Sequence, residues 1–215
     1  TGRVKIPGFY EEVVAPTKAE IKSFLQSGFQ VHRFKQAYGF KTLRTEDPAE
    51  VMRRIWAAPT FEVHGLVGGY HGPGVKTVVP GHGELKVSMR LVPNQTPEKA
   101  FALLKKHVAK LNPEVTVERE GMLHPFRGVF DGPYVDAVKR AVKAGFGKEP
   151  AFIREGGSIG AVVTMQKAWK VPILFMGLSL PEHGYHAPNE YFDWGQASGG
   201  MKAFVHYFAE LAAKR

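Results

Sequence analysis

Residues 152–190 read FIREGGSIGAVVTMQKAWKVPILFMGLSLPEHGYHAPNE. The pattern is strand, Gly-Gly turn, helix, strand and polar loop. Phe152-Ile153-Arg154 is short and apolar and runs into Glu155-Gly156-Gly157-Ser158. Two glycines before a helical run let the backbone turn sharply and leave free N–H groups at a helix N-terminus, a seat for an anion. Ser158 can cap that helix or hydrogen-bond a ligand. A helix is expected over Ile159 to Trp169. Val171 to Met176 then reads as a buried apolar strand. Its end feeds Pro181 to Glu190, a loop with two histidines, and α/β proteins place ligands beyond the C-terminal ends of their strands.

Outward from this stretch, residues 121–215 form one expected region. Pro133 to Phe146 has the period of a helix with Val135, Val138, Ala141 and Val142 inward, stopped by Gly147. A last helix is expected from about Ala197 to Ala213, burying Met201, Phe204, Val205, Phe208 and Leu211. Residues 58–120 read as strand (Thr60 to Leu66), Gly-rich loop, strand (Glu84 to Val92), helix and short strand (Val115 to Val117). Seven glycines between Gly65 and Gly83 are too many for a regular element. Leu85, Val87, Met89 and Leu91 alternate with Lys86, Ser88 and Arg90, a half-buried strand with one wet face. Thr96-Pro97-Glu98 opens a helix with Thr at the cap and Pro at the first position. Its inward side is expected to be Phe101, Leu104, Val108 and Leu111. The order β, β, α, β is a ferredoxin-like sandwich short of its first β and α.

Residues 1–57 read as an elaboration. Thr17 and Glu20 form a capping box for a helix with Ile21, Phe24 and Leu25 on its apolar face. Asp47-Pro48 starts another, with Val51, Ile55 and Trp56 inward. Gly2 to Tyr10 reads as a loop or extended entry.

Composition narrows the function classes. The 215 residues are enough for one large or two small domains with real cores. No run of 18 apolar residues occurs, so no membrane span is expected. The absence of cysteine excludes disulfides, thiolate metal sites and Cys nucleophiles, and fits a cytoplasmic protein. The net charge of +9 raises nucleic acid as a partner. Its Lys and Arg are scattered among acidic residues without a long basic block, which argues against one.

Arg154-Glu155-Gly156-Gly157-Ser158-Ile159 and Gly184-Tyr185-His186-Ala187-Pro188-Asn189-Glu190, with 28 positions from Ser158 to His186, resemble the carnosinase-like dipeptidases. These belong to the zinc exopeptidase family with acetylornithine deacetylase, succinyl-diaminopimelate desuccinylase, aminoacylase and carboxypeptidase G. Gly2 to Val13 resembles a segment of the family's lid domain, and the resemblance covers almost the whole chain. It implies an α/β (α+β) chain in two parts. Residues 1–120 would be a ferredoxin-like lid and dimerisation domain, lacking its first strand and helix and carrying the helical insertion 1–57. Residues 121–215 would be the C-terminal part of the α/β catalytic domain. With a strand and a helix missing, apolar lid surface should be uncovered unless another chain covers it.

The same resemblance implies roles. His186 would be a ligand of one of two zinc ions, a task suited to a neutral imidazole; one histidine alone makes no zinc site. Glu190 and Arg154 would support it and the Gly-Gly turn from behind. Arg90, in Ser88-Met89-Arg90-Leu91-Val92-Pro93, would grip the substrate carboxylate. Thr77 would reach into the partner subunit's site, and Gly156, Gly157 and Ser158 would line the carboxylate pocket. No role is assigned to His183. The implied reaction is hydrolysis of a peptide or N-acyl amide bond beside a free carboxylate, by a zinc-activated water and a glutamate base in a homodimer. That glutamate and the other ligands do not occur in this sequence, so the chain alone is expected to be inactive. The alternative is a non-enzymatic dimerisation or interaction module.

Overall fold

The computed structural model describes residues 2–154 and 159–213. The described chain is mostly helical with one small sheet. It divides into two compact units, one from residues 2–14 and 58–125, the other from 15–57, 126–154 and 161–213. The helical segment 15–57, expected as an insertion in the first domain, thus groups with the later residues.

In the first unit, β1 (Glu62–Gly68) pairs antiparallel with β2 (Gly83–Ser88). Register runs from Glu62 opposite Ser88 to Gly68 opposite Gly83, with a bulge at His64. Gly65 is needed in this ladder, because a Cβ there would press on the Lys86 side chain. Next comes α4 (Pro97–Leu111), capped by Thr96, whose hydroxyl accepts from the Lys99 N–H at 3.3 Å. The inward face of α4 is largely the expected one: Leu104 is buried and Phe101 and Val108 are half-buried, with Ala100 added to it, while Leu111 is exposed. The core is Ile6, Phe9 and Leu104, with Phe61, Val87, Met89, Leu103 and Val108 against it. The entry segment therefore supplies two of the three buried residues of this core. Buried Gln95 fixes it there: its Nε2 donates to the Phe9 carbonyl at 2.7 Å and its Oε1 accepts from the Val92 N–H at 3.1 Å. These bonds satisfy a polar group that would be costly to bury alone.

In the second unit, α1 (Lys18–Leu25) has the expected capping box between Thr17 and Glu20. A helix not expected from the sequence, α2 (Val31–Ala37), follows, then α3 (Pro48–Ala57). Asp47 accepts from the Ala49 and Glu50 N–H groups at the start of α3. Phe24, Met52 and Ala57 form the core here, with Ile21, Phe29 and Trp56 against them. α5 (Pro133–Phe146) ends at Gly147, φ 71°, a left-handed stop that glycine takes without strain. α6 (Gly160–Trp169) and α7 (Trp194–Ala212) complete the unit.

Three expectations fail. Val171 to Met176 carries no ladder, nor do Phe152 to Arg154 or Val115 to Val117; among the described residues β1 and β2 are the only paired strands. Val171 and Phe175 are exposed rather than buried. An apolar run specifies extended backbone, but a strand exists only where a neighbour supplies hydrogen bonds. The α/β sheet of the expected catalytic part is thus not formed within the described residues. Thirdly, α7 turns its small residues inward. Gly199, Gly200 and Ala203 are buried, while Met201, Phe204, Val205 and Phe208 are exposed. A Cβ at Gly145 of α5 would collide with the Gly199 carbonyl, so the two helix backbones meet too closely for large side chains.

Candidate functional site

The loop before α7 gathers most of the informative chemistry. A 3₁₀ turn, Pro181–His183, opens it and Gly184, φ 64°, reverses it. His186 follows with φ 66° and Asn189 with φ 62°, both left-handed without being glycine. Such residues cost about 1 kcal/mol or more and persist where surrounding structure holds them. The side chain of His186 is exposed. Glu190 is brought to it as expected, but at the backbone: its Oε2 accepts from the His186 N–H at 3.3 Å. The bond is to the main chain of His186 and not to its imidazole.

His183, which carries no expected role, is 2% exposed. Its Nδ1 accepts from the Leu180 N–H at 3.1 Å, which leaves the proton on Nε2, 2.7 Å from Asp193 Oδ2. The other Asp193 oxygen accepts from the Gln196 N–H at 2.9 Å and caps α7. That N–H first, and His183 second, hold the Asp193 carboxyl below its ordinary range. The cap was legible as Asp193-x-x-Gln196, but the expected helix began later and hid it.

Arg154 meets Glu20. Its guanidinium forms an ion pair with the Glu20 carboxylate, which also takes Arg127 at 2.9 Å and the Thr17 N–H at 2.9 Å. Burial pushes the Glu20 carboxyl up, but the Thr17 N–H and Arg154 outweigh it, and the net pKa is lowered. Ser23 donates to the Phe152 carbonyl at 3.0 Å. Helix α1 thus fastens the backbone at Phe152, shortly before the described segment ends. Gly156, Gly157 and Ser158 lie outside the described residues.

Arg90 and Thr77 belong to the first unit. Arg90 lies just past β2, exposed, and its carbonyl accepts from the Thr60 N–H at 3.0 Å. Thr77 is exposed in the long loop before β2. The six residues of β2, roughly 20 Å of strand, intervene between the loop and Arg90.

These residues do not compose a metal centre by themselves. Among the described residues, no group of three or more His, Cys, Asp or Glu is placed to hold a metal ion. His186 offers one imidazole, fit for a single ligand of a site. No helix among the described residues is long and apolar enough to cross a membrane.

Comparison with known proteins gives one family and a consistent set of relatives. Residues 17–116 match the family described as the peptidase dimerisation domain. The Cys-Gly metallodipeptidase of Schizosaccharomyces pombe is 30% identical over 99% of this chain and 46% of its own length. The human Beta-Ala-His dipeptidase is 28% identical over 99% of this chain and 43% of its own. Among solved structures, human carnosine dipeptidase 1 superposes with a TM-score of 0.86 at 28% identity, over 99% of this chain and 46% of that one. A dipeptidase of Saccharomyces cerevisiae gives 0.85 at 29% identity, over 97% and 45%. The chain spans less than half the length of the relatives it matches.

Proposed function

From the premise that this chain carries a peptidase dimerisation domain and is homologous to metallodipeptidases over part of their length, we propose that it is the C-terminal part of a zinc-dependent dipeptidase or amidohydrolase. Its whole protein hydrolyses a peptide or N-acyl amide bond next to a free carboxylate. The observation that carries this reading is the loop that turns His186 outward on a strained backbone held by Glu190, in a chain that follows human carnosine dipeptidase 1 along nearly all its length.

In this reading His186 supplies one zinc ligand. The remaining ligands and the base glutamate come from residues outside this sequence. Arg90 grips the substrate carboxylate with its forked donors. Gly156, Gly157 and Ser158 line the same pocket, and Thr77 serves the site of a second subunit. Residues 1–120 form the lid through which two copies pair, with its segment 15–57 packed among residues of the later part, and residues 121–215 belong to the catalytic part.

The test begins with the intact mass of the protein and its zinc content on one sample, followed by hydrolysis of Cys-Gly and β-Ala-His dipeptides. The 215-residue chain alone is expected to hold no zinc and cleave neither; the longer protein does both. Hydrolysis by the short chain would defeat the reading. In the active protein, Arg90→Ala raises KM about 10- to 100-fold, the loss of a charge-assisted hydrogen-bond pair, with little change in kcat. An unchanged KM removes Arg90 from its role.

A second reading, a non-enzymatic dimerisation module, is favoured by one observation: Val63, Leu66, Val67 and Leu85 of the hairpin are all exposed. Sedimentation that finds only monomer at high concentration counts against it.

A further inference from the structure

The left-handed residues at the tip of the His186 loop require something to hold them. The bonds within the loop do not suffice. Ala187 N–H to the Gly184 carbonyl at 2.9 Å, Glu190 N–H to the Ala187 carbonyl at 3.3 Å, and Glu190 Oε2 on the His186 N–H all move with the loop. They fix its shape but anchor it to nothing.

Two anchors come from outside. At the neck, buried His183 is bonded to the Leu180 N–H and to Asp193, the cap of α7. The Tyr191 N–H closes the neck on the His183 carbonyl at 3.1 Å, and the Phe192 ring packs edge-on against the imidazole at 5.6 Å. At the tip, the hydroxyls of Tyr38 and Tyr185 hydrogen-bond at 2.9 Å. Tyr38 closes α2 and stands in an aromatic group with Phe34 at 5.0 Å and Phe40 at 5.8 Å. Helix α2 also packs against the 3₁₀ turn. The residue next to His186 is therefore held by a helix 147 positions away in sequence.

We propose that α2, through Tyr38, and the His183–Asp193 pair brace the 184–190 loop from two sides, making Tyr38 and His183 positioning residues for the His186 imidazole. The segment 15–57 then acts as a support for the ligand loop. Its value to chemistry rests on the reading of His186 as a ligand; the bracing does not.

Hydrogen–deuterium exchange in the full chain tests it, with peptides from 184–191 as the probe and from α5 as the reference. Tyr38→Phe removes one oxygen from a half-exposed ring and is expected to speed loop exchange about threefold to tenfold, the Boltzmann factor of one net hydrogen bond. His183→Ala speeds it more. His183→Asn, which can still accept from the Leu180 N–H, recovers part of the protection. α5 stays unchanged throughout, and the His186 ring resonance shifts in Tyr38→Phe. A loop that exchanges at the original rate in Tyr38→Phe, with an unmoved His186 signal, overturns the proposal. If His183→Ala does not fold, Tyr38→Phe decides alone. Zinc content of the full-length protein is measured separately: its absence defeats the ligand reading while the exchange comparison stands.

Discussion

The two units hold their candidate residues in opposite ways. In the first, Thr77 and Arg90 flank a two-stranded hairpin that leaves Val63, Leu66, Val67 and Leu85 facing water and packs Val87 on the core. An isolated two-stranded hairpin is marginal in water, and here only the Ile6, Phe9 and Leu104 cluster supports it. In the second, His186 sits on a loop cross-tied to α2 and α7, beside helices packed through glycine. The difference teaches where rigidity is built into this chain. Under the proposed reading, a zinc ligand at His186 has to be aimed to a fraction of an ångström, whereas a hairpin that pairs with a second copy gains its order on pairing.

The contrast breaks most visibly at the glycines. Gly145→Val forces a side chain against the Gly199 carbonyl and Ala203 backbone, neither of which can yield without parting α5 from α7. A loss of about 3 kcal/mol is expected by urea denaturation. Gly74 of the hairpin loop, φ 83°, has nothing within 4 Å of a Cβ. Gly74→Ala should cost only about 1 kcal/mol, the penalty of handedness alone. Equal losses at the two sites would show that the hairpin is as tightly packed as the helices.

Between these lies the ion cluster on α1. Glu20→Ala leaves the largely buried Arg154 without its anion, and about 2 kcal/mol should be lost at pH 7, as for hydrogen bonds to charged groups. The pH dependence has a fixed sign. The folded carboxyl titrates below its ordinary value of 4.5, so its contribution is full above the ordinary range and is lost as pH falls through the lowered value. Denaturation midpoints from pH 7 down to 2 should fall less steeply in Glu20→Ala than in the unsubstituted chain. A parallel pair of curves would mean that Glu20 does not feel Arg154.

Local signals in the sequence were legible where one residue suffices to make them. Thr17 with Glu20, Thr96 with Pro97, and Gly147 mark helix ends that the structure bears out. The strand at Val171 to Met176 and the buried face of α7 were misread because each depends on what lies across from it. An alternating or apolar run does not carry its neighbour with it, and α7 is apolar around most of its circumference, so close backbone approach at Gly199, Gly200 and Ala203 chose the inward face. At the candidate site, His186 and Glu190 stood out through their short motif. Tyr38 and His183 did not, since the first acts from 147 residues away and the second is read as one more loop histidine until its burial is seen. Glu20 was legible as a cap and not as the counter-ion of Arg154, for the same reason of distance.

The smallest expected effect on the stability of the single chain gives the most direct access to the first unit. Val78 and Val79, in the loop with Thr77, are 68% and 83% exposed. Val79→Ser should leave the stability of the single chain within about 0.5 kcal/mol, as at any exposed position. If two copies pair through this hairpin, the same side chain is buried in each, and burying a valine is worth about 1.5 kcal/mol or more. Symmetry applies the loss twice. The dimer Kd, read by sedimentation across a concentration series, should then rise at least about a hundredfold while urea denaturation of the monomer does not move. An unmoved Kd in a protein that does dimerise would place the contact elsewhere on the lid. It would leave the exposed hairpin without the function that its lack of internal support implies.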